Sequence, residues 1–142
     1  MSKNDLNEVS YIEEMITPYP WHKGQFNDSY EKHTCLIMAL GNTIIGYVIY
    51  NTVIDDAEVL NIAIHPEYQH KGCGRYLLEY LISILPMSTK RFFLEVRVTN
   101  NNAIHLYESI GFVAICERKN YYHSESKTED AVLMAKLKLN LI

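Results

Sequence analysis

The hydrophobic pattern changes its period twice between residues 57 and 98, and this constrains the fold more than any other feature of the chain. Residues 57–64 are dense in apolar and β-branched side chains, which is typical of a strand. Apolar residues then recur every three or four positions, which predicts an amphipathic helix over about residues 73–85, ended by Pro86. Residues 92–98 indicate a strand again. Such a strand–helix–strand unit predicts a mixed α/β sheet with helices on its faces.

The segments on either side fit the same architecture. Two helices are expected before the sheet, over about residues 5–17 and 22–30, and a third over about residues 101–110, where Gly111 ends it. Further strands are expected over residues 34–40, 44–53, 112–118 and 131–139. Gly41-Asn42 predicts a hairpin turn between the first two strands, because both residues tolerate positive φ. The polar stretch His123–Asp130 is expected to be a loop.

Composition and charge restrict the possible functions. The chain has 142 residues, of which 48% are hydrophobic and 21% charged, so we expect one folded domain over residues 1–142. A net charge of -4 gives no general attraction for nucleic acid, which needs clustered Lys and Arg. The first thirty residues lack the apolar core of a signal peptide, and no apolar run reaches the roughly 18 residues of a membrane span. We therefore expect a cytoplasmic protein that contacts neither nucleic acid nor membrane.

Cysteine and histidine spacing gives no sign of a metal site or a disulfide framework. Cys35, Cys73 and Cys116 form no CxxC pair and are odd in number. We expect three reduced thiols, each packed as a small hydrophobic residue. The six histidines show neither HxH nor HExxH spacing, so no metal is expected.

A glycine-containing turn is the first feature that points to chemistry. The segment Gln69-His70-Lys71-Gly72-Cys73-Gly74-Arg75 lies between a predicted strand and the amphipathic helix. Glycines there let backbone N–H groups converge, and the helix N-terminus adds partial positive charge, so the segment suits a pyrophosphate. Lys71 and Arg75 could add charge. On the glycines alone, an ordinary tight turn before a helix is the more economical interpretation.

Further motifs follow in a fixed order. They are Leu94-Glu95-Val96-Arg97, then Asn100, Ala103, Leu106-Tyr107-Glu108 and Gly111-Phe112, then Arg118-Lys119-Asn120-Tyr121-Tyr122 and Glu129-Asp130-Ala131. Together with the glycine turn, and with Pro20-Trp21 after a helix, they resemble the GNAT acetyltransferase superfamily. The match is closest to its RimI-type ribosomal-protein alanine N-acetyltransferases. The resemblance covers about residues 5–136.

The resemblance implies a GNAT fold, which is a mixed, mostly antiparallel sheet with helices on both faces. Only four residues precede the first helix, so the first strand of the superfamily is expected to be short or missing. The implied reaction is direct acetyl transfer from acetyl-CoA, without a metal, to the N-terminal alanine of a small-subunit ribosomal protein. The implied partner is that protein's N-terminal segment, and we expect the enzyme itself to be a monomer.

The resemblance also assigns roles to individual residues. Ile62, Ala63 and Ile64 would offer strand backbone to the pantetheine arm, and His70, Lys71, Gly72, Cys73, Gly74 and Arg75 would wrap the pyrophosphate. Asn100 would hydrogen-bond the cofactor near its acyl end. Glu95 aligns with the general base of the family and Tyr107 with its general acid.

These two residue types suit the chemistry. An α-amine with a pKa near 8 is neutral in about a tenth of molecules at pH 7, whereas a lysine amine is neutral in well under 1%. A carboxylate such as Glu95 can remove the remaining proton, directly or through one water. A tyrosine hydroxyl is protonated at pH 7, so Tyr107 can donate to the departing sulfur.

Other interpretations of the same residues stay open at this point. Glu95 could be a surface residue paired with Arg97, and Tyr107 could be a core aromatic. Tyr121 and Tyr122 could form part of a peptide groove or pack the last hairpin. Glu58, with Asp55 and Asp56, could bind a basic substrate or act as an auxiliary base, or could be solvated.

Two other functions also remain open. One is an enzyme of the same superfamily that acetylates another peptide, a lysine or a small-molecule amine. The other is a non-catalytic module that binds acetyl-CoA.

Overall fold

A computed structural model describes residues 1–124 and 127–138 of the chain. The strands are β1 (Thr34–Leu40), β2 (Thr43–Val53), β3 (Asp56–Ile64), β4 (Arg91–Arg97), β5 (Val113–His123) and β6 (Thr128–Leu137). The helices are α1 (Leu6–Ile16), α2 (Lys23–Lys32), α3 (Cys73–Ile84) and α4 (Asn101–Ile110). The strands form one sheet in the order β1-β2-β3-β4-β6-β5. Only β3 and β4 pair in parallel among the described strands, which confirms the mixed, mostly antiparallel sheet.

Helices cover both faces of the sheet, as predicted. The apolar stripes of α3 and α4 pack on one face, around the buried strand residues Val48, Leu94 and Val96. The helices α1 and α2 pack on the other face, where Tyr47 and Ile49 of β2 are buried. Because successive residues of β2 point to opposite faces, this strand supplies both cores. None of the helices among the described residues is both long enough and apolar enough to cross a membrane.

No strand precedes α1 among the described residues, as the expectation of a short or missing first strand allowed. Lys3–Asp5 forms one 3₁₀ turn and leads directly into α1, so residues 1–5 contain no strand. Strand β1, which pairs with β2, is therefore the edge of the sheet on this side.

The predicted loop over His123–Asp130 is wrong at both ends. Strand β5 continues to His123, and β6 already begins at Thr128, where it pairs with His123. The polar residues misled the prediction because β5 is an edge strand, and its side chains can be polar without interrupting backbone pairing. Residue 139, the end of the predicted strand 131–139, lies outside the described residues.

The parallel pairing of β3 with β4 is short. It runs only from Asp56, opposite Arg91, to Val59, opposite Leu94, although both strands continue beyond these pairs. On its other edge, β3 has a bulge, since Tyr50 pairs with Val59 and Ile49 with Asn61. A bulge bends a strand and increases its twist. The later half of β3 therefore diverges from β4, and its backbone edge faces an open gap.

Gly46 holds the end of β3 close to β2. An added Cβ at this position would lie 2.6 Å from Cδ1 of Ile64 and 2.9 Å from the backbone oxygen of Ala63. The backbone oxygen cannot move without displacing the strand, so Gly46→Ala is expected to destabilise the fold by about 1–3 kcal/mol. Thermal unfolding measures this loss, and Gly24→Ala in α2, whose Cβ would meet nothing within 4 Å, is the matched control. An unchanged melting temperature for Gly46→Ala would contradict the close approach.

Candidate active site

The cleft lined by most of the predicted site residues lies between β3, α3 and α4. We call it the helical cleft; its volume is about 370 Å³. The predicted site residues that line it are Ile62, Ala63, Ile64, His70, Gly72, Cys73, Gly74, Arg75, Asn100 and Tyr107. The divergence of β3 from β4 opens one wall of this cleft, and the start of α3 forms another. The structure therefore brings together nearly all residues predicted to hold a cofactor.

The start of α3 has the features of an anion cradle. Gly72 precedes the helix with a φ of +85°, a left-handed conformation that favours glycine, and no side chain caps the helix N-terminus. The first-turn N–H groups are thus free to bind an anion, which the helix dipole also favours. Gly74 lets α3 approach α4, since its Cβ would lie 3.2 Å from Leu106. These residues fit a pyrophosphate group.

The two cations of the glycine turn differ in their surroundings. Lys71 is not part of the wall of the helical cleft, and its Nζ lies 5.7 Å from the ring centroid of Tyr68. Arg75 does line the cleft, where its Nε pairs with Glu79 at 2.8 Å and its Nη1 donates to the Ser109 hydroxyl at 2.7 Å. The structure thus places Arg75, but not Lys71, with the other predicted cofactor residues.

Asn100 caps α4 at the inner end of the helical cleft. Its side-chain oxygen accepts a hydrogen bond from the Ala103 N–H at 3.3 Å. This bond fixes the side chain and leaves its NH₂ group as a donor. Asn100 also lines a second cleft, described next, so it lies where the two clefts join.

A smaller cleft occupies the gap where β3 and β4 part. We call it the seam cleft; its volume is about 140 Å³, and its walls include residues 59–62 of β3 and 94–97 of β4. Glu95 and Tyr107 both line it. Since Tyr107 also lines the helical cleft, the seam cleft connects the two predicted catalytic residues with the predicted cofactor site.

The Glu95 carboxylate is mostly shielded from solvent, and one of its oxygens lacks a hydrogen-bond partner in the described chain. Its side chain is 14% exposed, and its Oε1 lies 3.4 Å from Nε of Arg118. Its Oε2 is buried, and no donor of the described chain meets hydrogen-bond geometry with it. Burial, followed by the negative charge of Glu95, raises the pKa of the neighbouring Tyr121. The alternative pairing with Arg97 is wrong, because Arg97 turns to Glu129 at 3.8 Å. A buried carboxylate oxygen without a donor is costly, and a substrate amine would satisfy it.

Tyr107 is buried in the wall of the seam cleft. It is 7% exposed and packs edge-on against Phe112, with ring centroids 6.1 Å apart. Burial raises the pKa of Tyr107 to about 12. The residue is therefore both a core aromatic and a cleft residue, and its hydroxyl stays protonated at neutral pH.

A third cleft, the aromatic groove, lies on the α2 side of Glu95. It has a volume of about 470 Å³, and its walls include Trp21, Glu58, Glu95, Tyr121 and Tyr122. Tyr121 and Tyr122 pack edge-on against each other, with centroids 5.1 Å apart. Both tyrosines therefore face a groove rather than only packing the last hairpin. Because Glu95 lines this groove and the seam cleft, a chain lying in the groove would present its end to Glu95.

The polar residues around these tyrosines shape the edge strand. A register shift lies between Arg118 and Tyr122, and Asn120 within it has a φ of +53°. The backbone N–H of Asn120 donates to Asp130 at 2.8 Å, and the Asn120 side chain accepts from the Thr128 hydroxyl at 3.0 Å. The Arg118–Tyr122 motif thus forms an irregular bulge in β5, and its two tyrosines lie in the wall of the groove.

The acidic residues near Glu58 do not act as one group. Asp55 pairs with Lys90 at 3.7 Å, and Asp56 pairs with Arg91 at 2.7 Å. Glu58 lines the aromatic groove instead. Only Glu58 of the three therefore remains a candidate for contact with a basic substrate.

Two further findings differ from the sequence-based expectations. Cys116 is exposed on β5, so the expected burial is wrong for this thiol, whereas Cys35 and Cys73 are half-buried. Glu13 and Asn61 line the seam cleft and were not predicted as site residues. The spacing of Glu13 from Val9 and Ile16 places it on the buried face of α1, and this signal could have identified it.

Comparison with known proteins agrees with this geometry. Residues 5–112 match the Acetyltransferase (GNAT) family. The ribosomal protein bS18-alanine N-acetyltransferase of Salmonella typhimurium is 37% identical over 137 residues, which cover 95% of this chain and 93% of that protein. The protein of the same name from Haemophilus influenzae is 40% identical over 134 residues, covering 92% and 91%.

Solved structures agree as well. The crystal structure of the ribosomal-protein-S18-alanine N-acetyltransferase from Escherichia coli superposes with a TM-score of 0.87 at 35% identity, covering 96% of this chain and 90% of that one. Ard1 from Thermoplasma volcanium shares the fold, with a TM-score of 0.90 at 22% identity and coverage of 99% and 95%. The family match spans most of the chain, and the fold is the one expected from it. The chain therefore belongs to the GNAT acetyltransferase family.

Proposed function

We propose that this enzyme transfers an acetyl group from acetyl-CoA to the α-amine of an N-terminal alanine, and that its substrate is the N-terminal segment of ribosomal protein bS18. The observation that carries the proposal is the buried, unpartnered Oε2 of Glu95. Glu95 lines both the aromatic groove and the seam cleft, and Tyr107 also lines the seam cleft. The bS18 substrate is taken from the names of relatives that cover nearly the whole chain.

The helical cleft would hold acetyl-CoA. The N–H groups at the start of α3, from Gly72 to Arg75, would bind the pyrophosphate. The edge of β3 beyond its pairing with β4 would hydrogen-bond the pantetheine arm through Ile62 and the Ile64 N–H, since the Ile64 carbonyl already accepts from the Gln69 side chain at 2.9 Å. The Asn100 NH₂ group would donate near the acyl end. Acetyl-CoA supplies an activated thioester, so the protein needs no covalent intermediate.

Glu95 would prepare the amine. An α-ammonium group entering from the aromatic groove would place a proton on Oε2 and leave Oε1 with Arg118. The neutral amine then attacks the thioester carbonyl, and the C–S bond of the resulting adduct breaks. The second proton of the attacking nitrogen passes to the departing thiolate, so that the products are the amide and the CoA thiol. The backbone N–H groups of the free β3 edge would stabilise the negative charge that develops on the carbonyl oxygen.

Tyr107 would act on the departing sulfur. With a pKa of about 12, its hydroxyl remains a hydrogen-bond donor throughout the neutral range. An ordinary thiol has a pKa near 8.5, so full proton transfer from Tyr107 to the thiolate is uphill. Tyr107 therefore stabilises the thiolate chiefly through a charge-assisted hydrogen bond.

A panel of three amines tests the substrate. The first is a peptide that begins with the alanine of bS18, the second is the same peptide with a blocked α-amine and an internal lysine, and the third is spermidine. We expect acetyl transfer, measured by mass spectrometry, to the first alone. Preferred transfer to lysine or spermidine would overturn the peptide assignment. Tight acetyl-CoA binding without transfer to any amine would indicate a non-catalytic module.

A further inference from the structure

A buried carboxylate in α1 has no part in the steps above. Glu13 is only 4% exposed. Its Oε1 accepts a hydrogen bond from the Tyr47 hydroxyl at 3.1 Å, and its Oε2 accepts from the Asn61 side-chain amide at 2.7 Å and the Trp21 backbone N–H at 3.3 Å. Burial raises the pKa of this carboxyl, and the hydrogen bonds act against the rise. Apolar residues of similar size stabilise a core at least as well as a buried charge, so packing alone does not explain Glu13.

Two of the three donors belong to walls of the site. Asn61 follows the bulge of β3 and lines the seam cleft. Trp21 lines both the seam cleft and the aromatic groove. A single oxygen atom, Oε2 of Glu13, bonds both of them. The third donor, Tyr47 of β2, is completely buried and forms no part of the walls of the three clefts.

We propose that Glu13 is a positioning residue for acetyl transfer. It fixes the free edge of β3, which faces the acetyl donor, relative to Trp21, which faces the acceptor amine. The inference rests on the proposed function only in placing an amine in the aromatic groove. The two reacting groups approach from these two walls. A displacement of one wall by about 1 Å can reduce the rate on the order of a hundredfold without removing either substrate.

Glutamine is the discriminating replacement. In Glu13→Gln, the amide oxygen can take the place of Oε2 and keep both wall bonds. Its NH₂ group can donate to the Tyr47 hydroxyl, whose own proton can turn to Oδ1 of Asn61, 3.5 Å away. This variant removes the charge but preserves the hydrogen bonds that residue 13 accepts from Asn61 and from the Trp21 backbone. Glu13→Ala removes both of these hydrogen bonds. Asn61→Ala removes only the bond to the β3 wall and leaves the bond to Trp21.

The experiment compares these variants with Tyr47→Phe, which removes one bond to the same carboxylate but neither wall bond. We measure kcat and both KM values, per molecule of enzyme that binds acetyl-CoA, together with the melting temperature. We expect Glu13→Ala and Asn61→Ala to lower kcat by on the order of tenfold to a hundredfold. We expect Glu13→Gln to keep kcat within about threefold, and Tyr47→Phe to lower the melting temperature with kcat nearly unchanged.

Several outcomes would overturn the proposal. One is a kcat for Glu13→Gln as low as that for Glu13→Ala, because the charge of Glu13, and not its hydrogen bonds to Asn61 and Trp21, would then be needed. Another is an equal loss of kcat in Tyr47→Phe and Asn61→Ala, which would make the network purely a fold element. If Glu13→Ala does not fold, the comparison of Asn61→Ala with Tyr47→Phe still decides. If the four variants show the expected order of kcat values, but with an acceptor amine other than the peptide, the positioning role of Glu13 is supported and the peptide assignment fails.

Discussion

Replacing Glu95 by glutamine is expected to lower kcat by about a hundredfold or more, since a well-placed general base contributes about 10²–10⁴-fold. The amide has the shape of the carboxylate but cannot take the proton of the amine. Acetyl-CoA affinity should stay nearly unchanged, because Glu95 lines the seam cleft and the aromatic groove but not the helical cleft. Steady-state kinetics with an alanine-initial peptide, together with calorimetric titration of acetyl-CoA, measure the two quantities.

The pH dependence and a matched variant sharpen this test. Above a pH of about 8 the α-amine arrives already neutral, so the difference between wild type and Glu95→Gln should narrow. Glu58→Gln is the matched control, since Glu58 lines the same groove but not the seam cleft, and we expect it to change the KM of the peptide rather than kcat. A rate for Glu95→Gln close to that of wild type would remove Glu95 from the role of base.

Replacing Tyr107 by phenylalanine is expected to lower kcat by about 10–100-fold. This corresponds to the roughly 1.5–3 kcal/mol of a hydrogen bond to a charged group. The ring and its contact with Phe112 remain, so the fold should be preserved. Tyr50→Phe is the matched control, because Tyr50 is equally buried in the same core but lines none of the three clefts.

The raised pKa of Tyr107 makes a second measurement informative. Burial disfavours the phenolate, so the neutral form persists until the pH approaches about 12. The ratio of wild-type to Tyr107→Phe rates should therefore be constant between about pH 7 and pH 10. A ratio that falls to one within this interval would show that the hydroxyl ionises early, and equal rates at all pH values would exclude its role.

Local patterns were sufficient for most of the fold. The predicted strand over residues 34–40 and helix over residues 101–110 match β1 and α4, and Gly111 ends α4 with a φ of +113°. Periodicity and turn residues determine such elements within a few residues of sequence. The end of β5 was not predictable in the same way, because its polar residues pair with β6 through an irregular turn held by Asp130.

For the site, the sequence predicted most of the residues but not the partners of their side chains. Nearly all cofactor residues that the resemblance implied line one cleft of the structure. The resemblance could not show that Lys71 lies outside the wall of this cleft. The partner of Glu95 depends on the edge strand, where Arg118 reaches across β6. The helical spacing of Glu13 could have shown that it is buried, but not which donors it meets, because Tyr47 and Asn61 lie 34 and 48 residues away. Contacts of this range follow from the tertiary fold and not from a local motif.

The short pairing of β3 with β4 has a consequence for how long the folded enzyme persists. Only the pairs from Asp56–Arg91 to Val59–Leu94 join the half-sheet β1-β2-β3 to the half-sheet β4-β6-β5. A ligand that fills the gap completes the missing part of the junction and binds only the native state. At a hundred times its Kd, such a ligand adds about 2.7 kcal/mol to stability. The free energy of unfolding of this enzyme is therefore expected to rise with the concentration of acetyl-CoA.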